Sequence, residues 1–189
     1  MKWTSLPLLI ALLALAAPSH AAPAPVWVVN KAASAVRFSS SVNGTAFSGA
    51  FRRWDADIRF DPANLAGSSV TASIDAASAA TGDADRDQAL PTATFLSAAR
   101  FPRATFAAHA FTSLGGGRFQ AIGTLTLRGV SKPLTLPFSL AITGGQAKMN
   151  ASFGLNRLAF GVGQDEWKAT SALPASVTVT IALSATKAK

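Results

Sequence analysis

Leu134-Thr135-Leu136-Pro137-Phe138-Ser139-Leu140-Ala141-Ile142-Thr143-Gly144-Gly145-Gln146-Ala147-Lys148-Met149-Asn150-Ala151-Ser152-Phe153-Gly154-Leu155 is the stretch that decides the fold. Apolar side chains recur at every second position on both sides of Gly144-Gly145. Successive side chains of a strand point to opposite faces, so the pattern predicts two strands, each with one apolar face. The glycine pair supplies the backbone freedom that a tight hairpin turn needs.

The same period runs outward in both directions. Toward the N-terminus it holds in Val36, Phe38, Ser40 and Val42, in Trp54, Ala56, Ile58 and Phe60, and in Val70, Ala72, Ile74 and Ala76. Toward the C-terminus it holds in Val177, Val179, Ile181, Leu183 and Ala185. Arg103 to Leu114 and Arg118 to Leu127 read as two more strands, joined by Gly115-Gly116-Gly117. Val26 to Asn30 adds a short first strand. Eight or nine strands with regular turn signals predict an all-β sandwich or barrel. One segment departs from the pattern. Asp83 to Leu90 is polar, carries its acids at the start, and stops at Pro91, as a short helix would. A second turn is expected over Thr94 to Ala99. The expectation is a helical insertion near residues 83–99, lying across one end of a barrel.

Composition narrows the chemistry. The 189 residues hold 17 Lys plus Arg, 9 Asp plus Glu, 2 His and no Cys, for a formal charge of +8. Without cysteine there is no disulfide framework, zinc-thiolate site or thiol nucleophile. Two histidines leave little room for a histidine-rich metal site or a catalytic triad. The sequence offers no convincing nucleophile–base pair, so an enzyme is not expected, and no cofactor is implied.

Residues 1–21 read as a cleaved signal peptide. Lys2 is the positive start, Leu8 to Ala17 the apolar core, and Ser19-His20-Ala21 the small-residue cleavage site. A membrane span needs about 20 apolar residues, twice this run, so no membrane span is expected. Residues 22–25 form a Pro/Ala spacer, and 26–187 the barrel. The expected location is the periplasm. His109 is then the mature chain's single histidine.

Six blocks of sequence, in order, resemble one known family. They are Gly49 to Pro62; Ser78 to Gly82 with Arg86-Asp87 and Leu90; Phe95 with Phe101 to Phe106; Gly123 to Pro133; Asn156-Arg157 with Phe160 to Gly163; and the final strand from Ser176. Together they resemble the YceI-like family, periplasmic lipid- or polyisoprenoid-binding proteins. The resemblance implies a lipocalin-like antiparallel β-barrel of about eight strands, whose lumen holds a long isoprenoid or acyl lipid. It implies carriage of a polyisoprenoid, an isoprenoid quinone or a fatty-acid derivative, without catalysis. It also suggests an alternative, an accessory or stress-response factor for a cytochrome b-type membrane redox system. Many members carry His-Ser where this chain has Ala33-Ser34. A homodimer is compatible with the sequence.

A hydrocarbon ligand needs apolar area and few polar anchors, since burial yields roughly 25 cal/mol per Å². The candidate lining residues are the large side chains in inward register: Phe38, Phe51, Trp54, Ile58, Phe60, Phe106, Phe119, Leu136, Phe138 and Phe153. For any single one of them ordinary barrel filling is the commoner role, and the expectation is that a subset lines a ligand channel. The polar groups read mostly as structure. Asp83, Asp85 and Asp87 alternate as in a calcium loop but lack its glycine and distal glutamate, so no metal is expected. Arg86 with the acids beside it would pin the insertion to the barrel rim. Arg52-Arg53 and Arg157 could attract a phosphate headgroup or pair with nearby aspartates. Trp167 is placed at a barrel mouth, and His109 reads as an outward or a satisfied residue and not as a ligand. The dispersed basic residues do not suggest a nucleic acid partner.

Overall fold

The computed structural model describes residues 23–189; the expected signal peptide, 1–21, lies outside these residues, as does Ala22 of the expected spacer. Eleven strands occur in chain order: β1 (Val26–Val29), β2 (Ala35–Val42), β3 (Thr45–Phe51), β4 (Trp54–Arg59), β5 (Ser69–Asp75), β6 (Ala79–Ala80), β7 (Arg103–Gly115), β8 (Arg118–Leu127), β9 (Val130–Thr143), β10 (Gln146–Asn156) and β11 (Ser176–Lys187). One α-helix, α1 (Ala84–Ala89), lies between β6 and β7.

Every pairing is antiparallel, and eight of the strands form a ring in the order β1-β4-β5-β7-β8-β9-β10-β11, closed by β1 against β11. β2 continues along β11 where β1 leaves it, pairing Thr178–Ala182 with Ser39–Ala35. β3 then pairs with β2 and carries the two-residue β6 on its other side. β1–β2 and β3–β4 are thus two long strands, each bent once. The expected eight-stranded barrel with a short helix is the observed one.

The turns follow the glycines. Gly115, Gly116 and Gly117 all have positive φ and join β7 to β8; Gly144 and Gly145 do the same between β9 and β10. α1 starts at Asp83, whose carboxylate accepts from Arg86 N at 3.0 Å, an N-cap of the usual kind. Thr94 to Ala99 forms turns, as expected.

β3 is a strand that the period-two reading omits. Its sequence Thr-Ala-Phe-Ser-Gly-Ala-Phe has small residues on both faces and so little contrast. Gly49 is required there, because a Cβ would collide with the Phe38 ring and with Ala80 O. The Asn43-Gly44 turn before β3, with both residues at positive φ, is its clearest sequence signal.

The core lies inside the ring. One cluster gathers Trp27, Phe60, Phe119, Ala147 and Ala185. A second holds Phe106, Ala108, Ala121, Leu136 and Ala151 at mid-height. A third, Phe38, Ala76, Ala79, Leu96 and Ala98, packs the helical insertion onto the barrel.

Candidate ligand-binding lumen

Period-two alternation puts the apolar face of each strand inside the ring, and the mixture of large and small residues there leaves space. Two chambers result. Chamber 1, about 100 Å³, is lined by Ile58, Phe60, Val70, Ala72, Phe111, Ala121, Phe138, Leu140 and Met149, among others. Chamber 2, about 200 Å³, is lined by Val36, Phe38, Phe47, Phe51, Ile74, Leu90, Phe95, Leu125, Leu134, Phe153 and Leu155, among others. Phe106 and Leu136 line both, so these two side chains stand between the chambers. Chamber 1 has no charged residue in its lining, and chamber 2 has one, Arg157. Such a space excludes any ion that is not already paired.

Eight of the ten candidate residues line a chamber: Ile58, Phe60, Phe106, Leu136 and Phe138 in the first, Phe38, Phe51 and Phe153 with Phe106 and Leu136 in the second. Phe119 and Trp54 do not. Phe119 is buried in the end cluster, with its ring 5.4 Å from Phe60 and 5.6 Å from Phe138. It closes chamber 1 rather than lining it. Trp54 shares the register of Ile58 but starts β4 at the bend, and Lys31 Nζ sits 4.1 Å from its ring centroid. Lys31 Nζ also hydrogen-bonds Trp54 O and lies 2.7 Å from Asp55 Oδ1, so Trp54 belongs to a surface clasp. That lysine holds the Asp55 carboxyl below its usual pKa, mainly through the hydrogen bond.

Phe111 and Trp27 are lining residues that the candidate set lacks. β7 carries a bulge between Ala108 and Ala110, which shifts the pairing against β8. Phe106 and Ala108 face inward before it, and Phe111 faces inward after it, so the parity reverses at His109. His109 itself is exposed, as expected. Gly123 lies opposite the bulge, where a Cβ would collide with Ala107 O. Trp27 seals the same end as Phe119, its Nε1 donating to Phe60 O at 2.9 Å.

The far end of chamber 2 is plugged by two irregular segments locked together. Residues 81–101 contribute Leu90, Phe95 and Leu96, and residues 157–175 contribute Val162 and Leu173. Thr94 O accepts from both Gly163 N and Gln164 N, and the Phe95 and Trp167 rings lie 5.6 Å apart. Asp87 ties the first segment down, accepting from Thr81 N, Thr81 Oγ1 and Gly82 N. These bonds hold its carboxyl below the usual pKa, the Thr81 backbone N–H contributing most. Arg86 lies within 3.2 Å of Asp83 and over the Phe47 ring, which is the expected pinning of the insertion.

Arg157 organises the second segment. It is 2% exposed, and its guanidinium donates to Pro174 O, Val162 O and Leu173 O at 2.7–2.9 Å, with Ala169 O at 3.5 Å. Its partners are carbonyls and not aspartates, and burial lowers its pKa. With most of its donors engaged, it works as a loop anchor. Arg53 does pair with an aspartate, its Nε 2.9 Å from Asp75 Oδ2, and it lies with Arg52 in an outer groove. Among the described residues no three His, Cys, Asp or Glu side chains come together as a metal site, and no helix is long and apolar enough to cross a membrane.

The barrel fold is shared with known proteins. The chain is 30% identical over 161 residues to a UPF0312 protein of Vibrio cholerae serotype O1, covering 84% of this chain and 75% of that one. The crystal structure of Burkholderia cenocepacia BcnA superimposes with a TM-score of 0.81 at 32% identity, over 84% of this chain and 99% of that chain. A polyisoprenoid binding domain from Saccharophagus degradans, implicated in plant cell wall breakdown, gives a TM-score of 0.66 at 14% identity, over 87% and 99%. The family model described as the YceI-like domain matches residues 27–185, nearly all of the ring, and the chain therefore belongs to the YceI-like family.

Proposed function

We propose that the protein binds and carries one long apolar molecule, a polyisoprenoid, an isoprenoid quinone or a fatty-acid derivative, inside its barrel in the periplasm, without transforming it. The observation that carries this reading is that two apolar chambers lie within one barrel and share the Phe106 and Leu136 side chains in their walls. A globular ligand would need one wide cavity. Two small apolar chambers side by side, parted by movable side chains, suit a chain of methylenes or prenyl units, each buried CH₂ contributing about 0.8 kcal/mol. The Saccharophagus degradans polyisoprenoid binding domain shares the fold, which supports the same class of ligand here. The one charged lining residue is engaged by carbonyls, consistent with a ligand whose buried part is uncharged.

Native mass spectrometry of protein purified from its own host tests the proposal. The expected result is a co-purified lipid of one or a few masses, displaced by octaprenyl or ubiquinone analogues. An empty protein that takes up neither analogue would overturn it.

A further inference from the structure

The geometry points to a side entrance for the lipid tail, a window in the barrel wall between β9 and β10 held open by Pro133 and Pro137. This rests on the lumen-binding reading. β10 pairs with β9 only from Gln146 to Ala151, against Thr143 to Phe138. Below Phe138 and Ala151 the two strands run on to Val130 and Asn156 with no ladder between them. On their other sides both stay paired, β9 with β8 to Val130 and β10 with β11 to Asn156. Five residues of β10, Ser152 to Asn156, border the gap, a length of roughly 15 Å at about 3.3 Å per residue.

The prolines explain why the gap does not zip. Leu140 N donates to Gly117 O, on the β8 side. The β8–β9 register is unbroken, so even-numbered residues of β9 turn their N–H toward β8 and odd-numbered ones toward β10. Residues 133 and 137 are odd. Proline there removes two of the donors that would have bridged to β10 and costs the β8 ladder nothing. The same absence of donors discourages a foreign strand from adding to this edge.

The window opens on the right space. Leu134 and Leu136 on one side and Phe153 and Leu155 on the other line chamber 2, and all but Leu136 are only half-buried. The window is bounded above by the Phe138–Ala151 pair, and below it Gly161 sits close to Arg128 in the turn that precedes β9. The two barrel ends, in contrast, are sealed by the Trp27–Phe60–Phe119 cluster and by the interlocked loops. The shortest junction of the ring, β1 against β4, is clasped by Lys31 bonded to Trp54 O and Asp55.

The test uses the full chain, which has no native cysteine. Thr135→Cys and Gly154→Cys would place thiols on facing edges at mid-window, and a short bismaleimide would bridge them, with bridging read by mass. Ser139→Cys and Asn150→Cys, which are already paired across the same strands, give the control bridge above the window. The probe is pyrene-labelled hexadecanoate, followed by stopped-flow fluorescence. Bridging at 135/154 should slow uptake and release by about tenfold or more, while the control bridge leaves both rates unchanged. In parallel, Pro133→Thr with Pro137→Thr restores both donors and should slow both rates at unchanged affinity, because each added bond must break at every passage. Unchanged rates on 135/154 bridging would overturn the entrance and leave the lumen reading intact. A wild-type protein that takes up neither this probe nor decylubiquinone would overturn both.

Discussion

The two ends of the lumen are built on different principles. Chamber 1 is enclosed by ring strands, and its end is a cluster of Phe60, Phe111, Phe119 and Phe138 with ring centroids 5.3–5.8 Å apart. Chamber 2 is twice as large, and its end is made of loops held by hydrogen bonds to carbonyls. Aromatic packing inside a closed ladder is rigid, since interiors are close-packed and tolerate little displacement. Loops fixed by a few polar contacts open at lower free energy than strands. If the lumen holds a lipid as proposed, the comparison predicts that chamber 1 sets the length accepted and that chamber 2 adapts.

Phe138→Asp attacks the rigid end and carries the largest expected effect. It deletes an aromatic stacked on Phe119 and puts a carboxylate in a space with no partner for it. The loss should reach about 4 kcal/mol or more, a large share of ordinary domain stability. Urea denaturation reads it. A wild-type midpoint with unchanged lipid uptake would show that this face does not line the lumen.

Arg157→Met attacks the other end. It leaves up to four buried carbonyls without their donor, for a cost of about 3 kcal/mol and a melting temperature lower by roughly 6–12 °C. Lysine at 157 should rescue little, because one ammonium cannot reproduce the fork. Hydrogen exchange should show residues 157–175 loosened while the chamber 1 strands stay protected. Uniform loosening would mean that the two ends are not independent.

Ala121→Leu and Ala104→Leu add the same three carbons to chambers 1 and 2 respectively. Each should cost about 1–3 kcal/mol through overpacking. Only Ala121→Leu should shorten the longest tail accepted in native mass spectra of an acyl series. Equal shortening in both would erase the assigned division of labour.

The smallest effect is electrostatic. Asp87 has a folded-state pKa below the unfolded value near 3.9, so its contribution is complete above that value and is lost as pH falls through the folded one. Asp87→Asn should therefore melt below wild type at neutral pH, with the difference closing as melts are taken to about pH 2. A gap that stays constant across this range would mean that Asp87's charge contributes nothing.

The same contrast governs how much was legible in the sequence. Chamber 1 strands announce themselves by alternation, and Ile58, Phe60 and Phe138 fall where the period puts them. Phe111 escapes because the bulge at His109 shifts parity by one residue, and a period read across it gives the wrong face. Trp54 misleads for the opposite reason, its parity being right while Lys31 holds its ring at the surface bend. The plug of chamber 2 was only partly legible. Local signals mark the 83–90 helix and its Pro91 stop. Nothing local tells Arg157 that its partners are Val162, Leu173 and Pro174 carbonyls instead of aspartates. Those contacts exist only once residues 157–175 have folded back.

β11 carries a further consequence, one of timing. It is the last strand in the sequence and the partner of β1, β2 and β10 at once. The bond between Ser184 N and Ser34 Oγ joins residues 150 positions apart. Residues 23–175 alone cannot close the ring, so β11 must be in place before the circular ladder exists. Contacts of such separation make folding slow. The twelve residues of β11 are therefore the element that turns an open sheet into a closed ring.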